Sequence, residues 1–509
     1  MAEARAAIKN APARVPVPPG RDRVPFVSAA QANNSLDARL LGELRKIAGS
    51  DGVISRATEL AVYECDGWTI AKRAPEVLVM PQTTAQVSAV MRALFRRGVA
   101  FVPRGAGTGL SGGALPVNAP VMICTSRMNR ILSIDLANRR AEVQAGVVNI
   151  QVTNAVRERG FFYAPDPSSQ PACTIGGNIA ENSGGPHTLK YGVTANHVLG
   201  VEIVLPDGDV VELGGPAEER CGYDLVGAVC GSEGTTGIVT RATLRLMRAP
   251  ENHRTMLAVF AGVQDATHAV SAAIAAGMIP GAIEMMDGLM IQAIEEAFHV
   301  GLPRDAGAVV IIELDGLEAG LDARAAQIVQ LVRDCGAREV RLARHEAERA
   351  ALWKARKRAF GAAGRLAPNY ATQDGVVPRT RLPDILRVIS ALSERYQLRI
   401  GNVFHAGDGN IHPIILYDER ESDQVRRAIE VGHEILKACV EMGGSLTGEH
   451  GIGAEKLGEM PLLFSPDDLL VMGELRRVFD PAERSNPGKV IPTPAACVEV
   501  AAPRRQVPL

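Results

Sequence analysis

Between Pro103 and Ile238 the chain carries three glycine-rich stretches, and these restrict its fold more than any other feature. The first is Pro103-Arg-Gly-Ala-Gly-Thr-Gly-Leu-Ser-Gly-Gly113. Within it, Gly107 to Gly112 fits the G-x-G-x-x-G pattern of a dinucleotide-binding turn, but the next residues are Ala114-Leu-Pro-Val-Asn-Ala-Pro120. Prolines so placed exclude the helix whose N-terminus would receive a pyrophosphate in a Rossmann fold. A run this rich in glycine can instead curl so that successive backbone N–H groups point inward, an anion nest built without a helix dipole. The hydroxyls of Thr108 and Ser111 add donors. The second stretch runs from Pro165-Asp-Pro-Ser-Ser-Gln170 to Thr174-Ile-Gly-Gly-Asn-Ile-Ala-Glu-Asn-Ser-Gly-Gly185, and the third is Gly231-Ser-Glu-Gly-Thr-Thr-Gly-Ile238. One of these alone is an ordinary loop. Three in one domain predict a large phosphate-bearing ligand lying along backbone.

The segments around them alternate. Thr83-Thr84 predicts a helix cap, with Val87, Val90, Met91, Leu94 and Phe95 on one face of the helix. Strands are expected at 99–102, 121–125, 131–136 and 141–145, a helix from Asn149 to Gly160, and a hairpin at 198–213 around Pro206-Asp-Gly-Asp209. From about residue 252 the rhythm lengthens. Strands at 256–260, 309–314 and 339–342 alternate with helices at 264–276, 321–334 and 345–362, a layer of sheet covered by helices.

A second chemistry lies further along. Ile400 to Phe404 and Ile411 to Leu416 are apolar runs joined by His405-Ala-Gly-Asp-Gly-Asn-Ile-His412, which reads as a hairpin turn. Such a turn brings His405 and His412 to the same end of a sheet. With Glu449 they complete a ligand set for a borderline divalent cation, and three protein ligands leave a position open for substrate. His450, next to Glu449, can stand beside such a metal as an acid or base without ligating it.

Composition removes other classes. A net charge of −2 over 509 residues offers no basic surface for nucleic acid, and no apolar run approaches the roughly 18 residues of a membrane span. Eight scattered cysteines without a Cys-x-x-Cys pair argue against a disulfide framework, a zinc ribbon and an iron–sulfur cluster in this chain. A reducing cytoplasm fits best. The proline-rich ends, 1–35 and 493–509, are expected to be a mobile arm and a flexible tail.

The Arg104-Gly-Ala-Gly-Thr-Gly109 loop, Pro165-Asp-Pro-Ser-Ser169, Gly176-Gly-Asn-Ile-Ala-Glu-Asn182 and Gly231-Ser-Glu-Gly234 resemble the FAD-binding domain of the vanillyl-alcohol oxidase/p-cresol methylhydroxylase superfamily. The histidine turn, Gly448-Glu-His-Gly-Ile-Gly453 and Asn486-Pro-Gly-Lys489 resemble its D-2-hydroxy-acid dehydrogenase branch, in particular the FAD-linked subunits of glycolate-oxidising complexes. The likeness covers roughly 50–492, including Gly281 to Asp287 and Leu352 to Arg358. It implies an α+β chain: a two-part p-cresol methylhydroxylase (PCMH)-type FAD-binding domain over 36–250, then an α+β substrate domain over 251–492 with an antiparallel sheet covered by helices.

It also implies FAD contacts from Arg104, Gly105, Ala106, Gly107, Thr108, Gly109, Ser111 and Gly112, from Pro167, Ser168, Gly176, Gly177, Asn178 and Asn182, and from Gly231, Glu233, Gly237, Ile238 and Asn486. Covalent flavoproteins of this type often have a histidine in the first glycine loop. None lies between Pro103 and Val117, so non-covalent FAD is expected. The resemblance further implies a divalent metal (Zn, Mn or Fe) on His405, His412 and Glu449, His450 as the base for the substrate hydroxyl, and Arg356 as the carboxylate-binding residue. Phe360 and Tyr370-Ala-Thr-Gln373 stand where the D-2-hydroxyglutarate branch has further polar groups, which favours a small 2-hydroxy acid such as glycolate or D-lactate. Implied partners are a second flavoprotein-like subunit and an iron–sulfur subunit, with any membrane association at the inner face made through them.

Overall fold

Thr83 caps the helix Thr84–Phe95 as its position predicts: its Oγ1 accepts from the Gln86 N–H at 3.2 Å. Val87, Val90, Met91 and Leu94 are buried on one face, but Phe95 is 44 % exposed. Its ring instead lies under the Arg484 guanidinium, 5.5 Å away. A computed structural model describes residues 36–217 and 222–492; the expected arm and tail, with Cys221 and Cys497, lie outside the described residues.

The first part is built on two main sheets, with a two-stranded pair, Phe161–Phe162 and Met247–Arg248, beside them. The smaller has four strands in the order Val53–Ile54, Val77–Val79, Val121–Cys124 and Phe101–Arg104, the last three mutually parallel. Its edge strand was expected to stop at Val102 before a proline, yet it runs through Pro103 to Arg104. An edge position leaves one side free of ladder bonds, so the missing N–H of Pro103 costs little. The larger sheet is antiparallel, in the order Ile131–Asp135, Arg140–Gln144, Ile238–Arg245, Val198–Val204 and Val210–Gly214. The predicted 198–213 hairpin is its last pair.

The second part is one eight-stranded antiparallel sheet. Seven strands run in the order Glu339–Leu342, Asn252–Phe260, Ala308–Gly316, Ala282–Asp287, Ile400–His405, Asn410–Tyr417 and Asn369–Thr372; Gly375–Val376 also pairs with Asn410–Tyr417. Helices cover both faces, so alternate residues of one strand enter different cores. Met256, Ala258 and Phe260 pack with Ile283, Met285, Val310 and Ile312 on one face. Leu257 and Val259 pack with Met286, Val309, Ile311, Val403 and Ile414 on the other. This second face matters for function, because Glu284, Glu313, His405 and His412 share its strand parity. The expected single helix over 345–362 is two, Glu346–Lys357 and Ala359–Ala363, broken at Arg358 (φ −101°, ψ 6°). No glycine or proline marks the break.

The chain end returns to the first part. Phe101 N–H donates to the Arg484 carbonyl at 3.0 Å and Asn486 N–H to the Phe101 carbonyl at 2.8 Å, extending the edge of the four-stranded sheet.

Candidate active site

The three glycine-rich stretches meet around one cavity of about 350 Å³. Its wall takes Arg104 to Gly109 from the first, Pro167, Ser168, Gly176, Gly177 and Asn178 from the second, and Glu233, Gly237 and Ile238 from the third. Among the described residues, the backbone N–H groups from Ala106 to Gly113 donate to no protein acceptor, as an anion nest requires. Bulk is excluded on both sides. A Cβ on Gly105 would lie 2.3 Å from Thr174 Oγ1, and one on Gly107 (φ 73°) 2.0 Å from Arg104 Nη2. Unsatisfied donors in a cradle that admits only backbone are what a flavin dinucleotide's pyrophosphate needs, so the residues fit FAD.

Five predicted FAD residues lie off this wall and hold its loops instead. The Ser111 carbonyl accepts from Ala454 and Glu455 N–H, both at 3.0 Å, and Gly112 (φ 75°) packs against Trp68. Asn182 ends the helix Ile175–Glu181 in the left-handed region and accepts from Ala195 N–H at 2.8 Å. Gly231 (φ 81°) donates its N–H to the Ile179 carbonyl at 2.8 Å. Asn486 donates Nδ2 to the carbonyls of Gly113 and Glu233, at 2.9 and 2.6 Å. These are loop-end positions, where a left-handed backbone or a side-chain amide fixes the turn. Glu233 does both jobs: its carboxylate accepts from Ile452 and Gly453 N–H at 2.6 and 2.7 Å, tying the third stretch to the Gly448–Gly453 run. Burial raises its pKa to about 7.

The histidine turn is a hairpin, with Val403 opposite His412 and His405 opposite Asn410. Both imidazoles therefore stand on one face as diagonal neighbours, with ring centroids 5.0 Å apart. Their Nε2 atoms converge on a single oxygen, Glu449 Oε1, at 3.0 and 3.2 Å. His450 Nε2 is 3.7 Å from the same oxygen, and its ring stacks on His412 at 4.7 Å with an interplanar angle of 8°. Glu449 and His450 both line the flavin cavity.

The donor chemistry fits a divalent cation. His405, His412 and Glu449 each offer a ligand atom, all within 4.8 Å of one another. One carboxylate oxygen cannot satisfy two imidazoles well, and both ring nitrogens of His412 are buried without a hydrogen-bond partner. Behind each imidazole stands a further carboxylate: Glu284 Oε1 is 2.8 Å from His405 Nδ1, and Asp374 Oδ1 is 3.7 Å from His412 Nδ1. Imidazoles backed by carboxylates are the usual outer arrangement of a metal site. Burial alone would lower the His405 pKa, but the charges of Glu284 and Glu449 hold it well above the ordinary value. Burial pushes His450 the other way, to about 4, and keeps its ring neutral.

Sequence reasoning missed Glu284 and Asp374. Asp374 Oδ2 accepts from the N–H groups of Gly448 (3.0 Å), Glu449 (3.3 Å) and His450 (2.9 Å), as well as from Thr447 Oγ1 and Lys456 Nζ. One carboxylate thus shapes the loop that presents Glu449 and His450. The only available signal was a carboxylate inside an otherwise apolar strand, as at Glu284.

Arg356 is fully buried, with Nε 2.6 Å from Glu284 Oε2 and Nη2 3.4 Å from His405 Nδ1. It stands behind the imidazoles and is absent from the cavity wall, which the adjacent Lys357 and Phe360 do line.

Residues 75–214 match the FAD binding domain family, and 249–490 match the FAD linked oxidases, C-terminal domain family. The fold resembles p-cresol methylhydroxylase (TM-score 0.75, 17 % identity, 89 % of this chain and 96 % of that one) and the 4-ethylphenol oxidase of Gulosibacter chungangensis (TM-score 0.72, 19 % identity, 89 % and 96 %). Fold and cradle together define an FAD-linked oxidoreductase with PCMH-type architecture.

In sequence the chain is 46 % identical to glycolate oxidase subunit GlcD of Escherichia coli (strain K12), covering 87 % of this chain and 89 % of that one. It is 37 % identical to GlcD of Bacillus subtilis (strain 168), over 88 % and 96 %, and 31 % identical to a D-lactate dehydrogenase of Anaerostipes hadrus, over 85 % and 91 %. The chain belongs to the glycolate oxidase subunit GlcD family of FAD-linked oxidases.

Proposed function

We propose that this chain oxidises a small 2-hydroxy acid, glycolate or D-lactate, to the corresponding 2-oxo acid, with non-covalent FAD as oxidant. The observation that carries the reading is that Glu449 and His450, joined to His405 and His412, open into the same cavity as the glycine-rich stretches. His405, His412 and Glu449 would hold a divalent metal, zinc, manganese or iron, which would supply Lewis-acid polarisation of the substrate oxygens, and bound FAD would supply the hydride acceptor. His450 takes the hydroxyl proton as the α-hydrogen leaves with its electron pair. Glu284 holds the His405 imidazole, Asp374 stands behind that of His412, and the apolar Phe360, 5.9 Å from the His412 ring, favours a substrate without a second carboxylate. A panel of 2-hydroxy acids, scored by anaerobic bleaching of the flavin, tests the reading. Absence of bleaching by any of them would overturn it.

A flavin held only by backbone and loops leaves the protein when it unfolds. The purified protein is expected to be yellow and to release free FAD on acid precipitation; colour retained by the precipitate would mean a covalent flavin.

We also propose partner subunits, because the reduced flavin must pass on two electrons. A second flavoprotein-like subunit and an iron–sulfur subunit would receive them at the cytoplasmic face of a membrane; among the described residues no helix is long and apolar enough to cross one. The isolated chain should be reduced quickly by substrate and reoxidised slowly by oxygen, with turnover restored by an artificial dye acceptor. Peroxide formed in air as fast as the flavin is reduced would mark a self-sufficient oxidase instead.

A further inference from the structure

The helix Ile175–Glu181 and the third glycine-rich stretch each bring one carboxylate to the FAD cavity, Glu181 and Glu233. The two acids face each other across glycine. A Cβ on Gly451 would lie 2.5 Å from Glu181 Oε2 and 2.7 Å from Glu233 Oε1, which keeps these oxygens within about 5 Å of each other. A Cβ on Gly113 would lie 2.8 Å from Glu181 Oε1 and 3.6 Å from Glu233 Oε2. Gly113 is the last residue in the run of free N–H groups that fits the FAD diphosphate. The carboxyl pair therefore stands against the anion nest, where a diphosphate brings further negative charge.

The other charged groups that face the pair are Asp66, Lys456 and Lys489. Both ammoniums are engaged elsewhere. Lys456 Nζ donates to the Gly451 carbonyl at 3.2 Å and to Asp374 Oδ2 at 3.3 Å, and Lys489 Nζ to the Leu115 carbonyl at 2.6 Å and to Asn486 Oδ1 at 3.3 Å. Asp66 accepts from the N–H groups of Trp68 at 2.9 Å and Ala114 at 3.3 Å. The two members of the pair differ in their own partners. Glu233 accepts from the N–H groups of Ile452 and Gly453, which favour its ionised form. Glu181 Oε2 is buried with no hydrogen-bond partner, the setting of an acid that keeps its proton. Burial, then the charge of Glu233, holds the Glu181 carboxyl well above the ordinary carboxylate range. Acids this close titrate as a pair, and the proton they share belongs mainly to Glu181.

We propose that Glu181 is the proton-holding residue of the FAD site: as the neutral acid it admits the diphosphate to the nest, and once ionised it repels the diphosphate and loosens the cofactor. FAD and the proton are then linked ligands, each strengthening the other by the same factor. The sign follows from the charges. Below the titration of the pair a single negative charge faces the nest, and FAD is held tightly. As pH rises through that titration the pair becomes doubly negative, and affinity falls by at most about tenfold per pH unit, the limit for one proton. The inference concerns the cofactor and goes beyond the reaction proposed above, but it rests on the non-covalent FAD of that reading.

The test dilutes FAD-loaded protein into buffers across the neutral and mildly alkaline range and reads released flavin by its fluorescence. The dissociation constant of FAD should rise about 10- to 100-fold between about pH 6.5 and about pH 9, the effect of a one- to two-unit rise in the proton affinity of the pair on binding. Glu181→Gln keeps the shape of the side chain and fixes its neutral state. It should flatten the profile and hold FAD at the alkaline end as tightly as the parent does at the neutral end. A flat profile in the parent, which needs no variant, would overturn the proposal. So would a pH dependence that survives in Glu181→Gln. Weaker FAD binding by a fully folded Glu181→Gln at every pH would also overturn it, because Glu181 would then serve as an ionised support of the loop. Colour retained by an acid precipitate would fail the non-covalent reading instead, a distinguishable result. The melting temperature of each sample at each pH reports folding separately.

Discussion

His405→Ala is expected to abolish flavin reduction by glycolate while leaving bound FAD in place. His405 contributes nothing to the cavity wall formed by the glycine-rich stretches, so its loss should not disturb the FAD cradle. Its Nε2 is one of two imidazole nitrogens aimed at Glu449 Oε1, and the remaining pair cannot enclose a cation. Lewis-acid polarisation is worth several kcal/mol of barrier, so a loss of at least about 10³-fold is expected. Elemental analysis should find the variant metal-free, and a chelator should bring the parent protein to the same state with its flavin spectrum intact. Glu284→Gln offers a graded version: it keeps shape and a hydrogen-bonding oxygen behind His405 Nδ1 and should cost about 10- to 100-fold in metal affinity. Fully active protein without metal would rule the assignment out.

How much of this site could be read from sequence depends on the range of the interactions involved. The FAD cradle was legible because its glycines serve local needs: at Gly107 a positive φ and no room for a Cβ beside Arg104, three residues before it. The histidine pair was legible because the intervening turn fixes its own register. What could not be read depends on contacts between distant segments. Glu284 meets His405 across 121 residues, through a strand pairing no local pattern encodes. Asp374 acts on a loop more than 70 residues away. Helical spacing says that Arg356 and Lys357 diverge, but only packing decides which reaches the cavity. Likewise, Ser111, Gly112, Asn182, Gly231 and Asn486 lie in or beside the right motifs, yet they serve the loops and not the wall.

His450→Asn should slow flavin reduction by about 10²- to 10⁴-fold, the range of a positioned proton transfer, equivalent to about 3 to 5 kcal/mol of barrier. His450 lines the cavity and is held from two sides, by the stack on His412 and by its own N–H on Asp374 Oδ2. Asparagine keeps the backbone bond, polarity and approximate size, so the loop carrying Glu449 should stay in place. It removes the ring nitrogen that can accept a proton. The change should therefore fall on the limiting rate in stopped-flow reduction, with the glycolate dissociation constant and metal content close to those of the parent. A purely supporting role for the ring would give a different pattern, because a displaced Glu449 would release metal and weaken glycolate binding. Reduction at the parent rate would leave the hydroxyl proton without His450 as its acceptor, and the mechanism would have to be rebuilt around another group on the cavity wall.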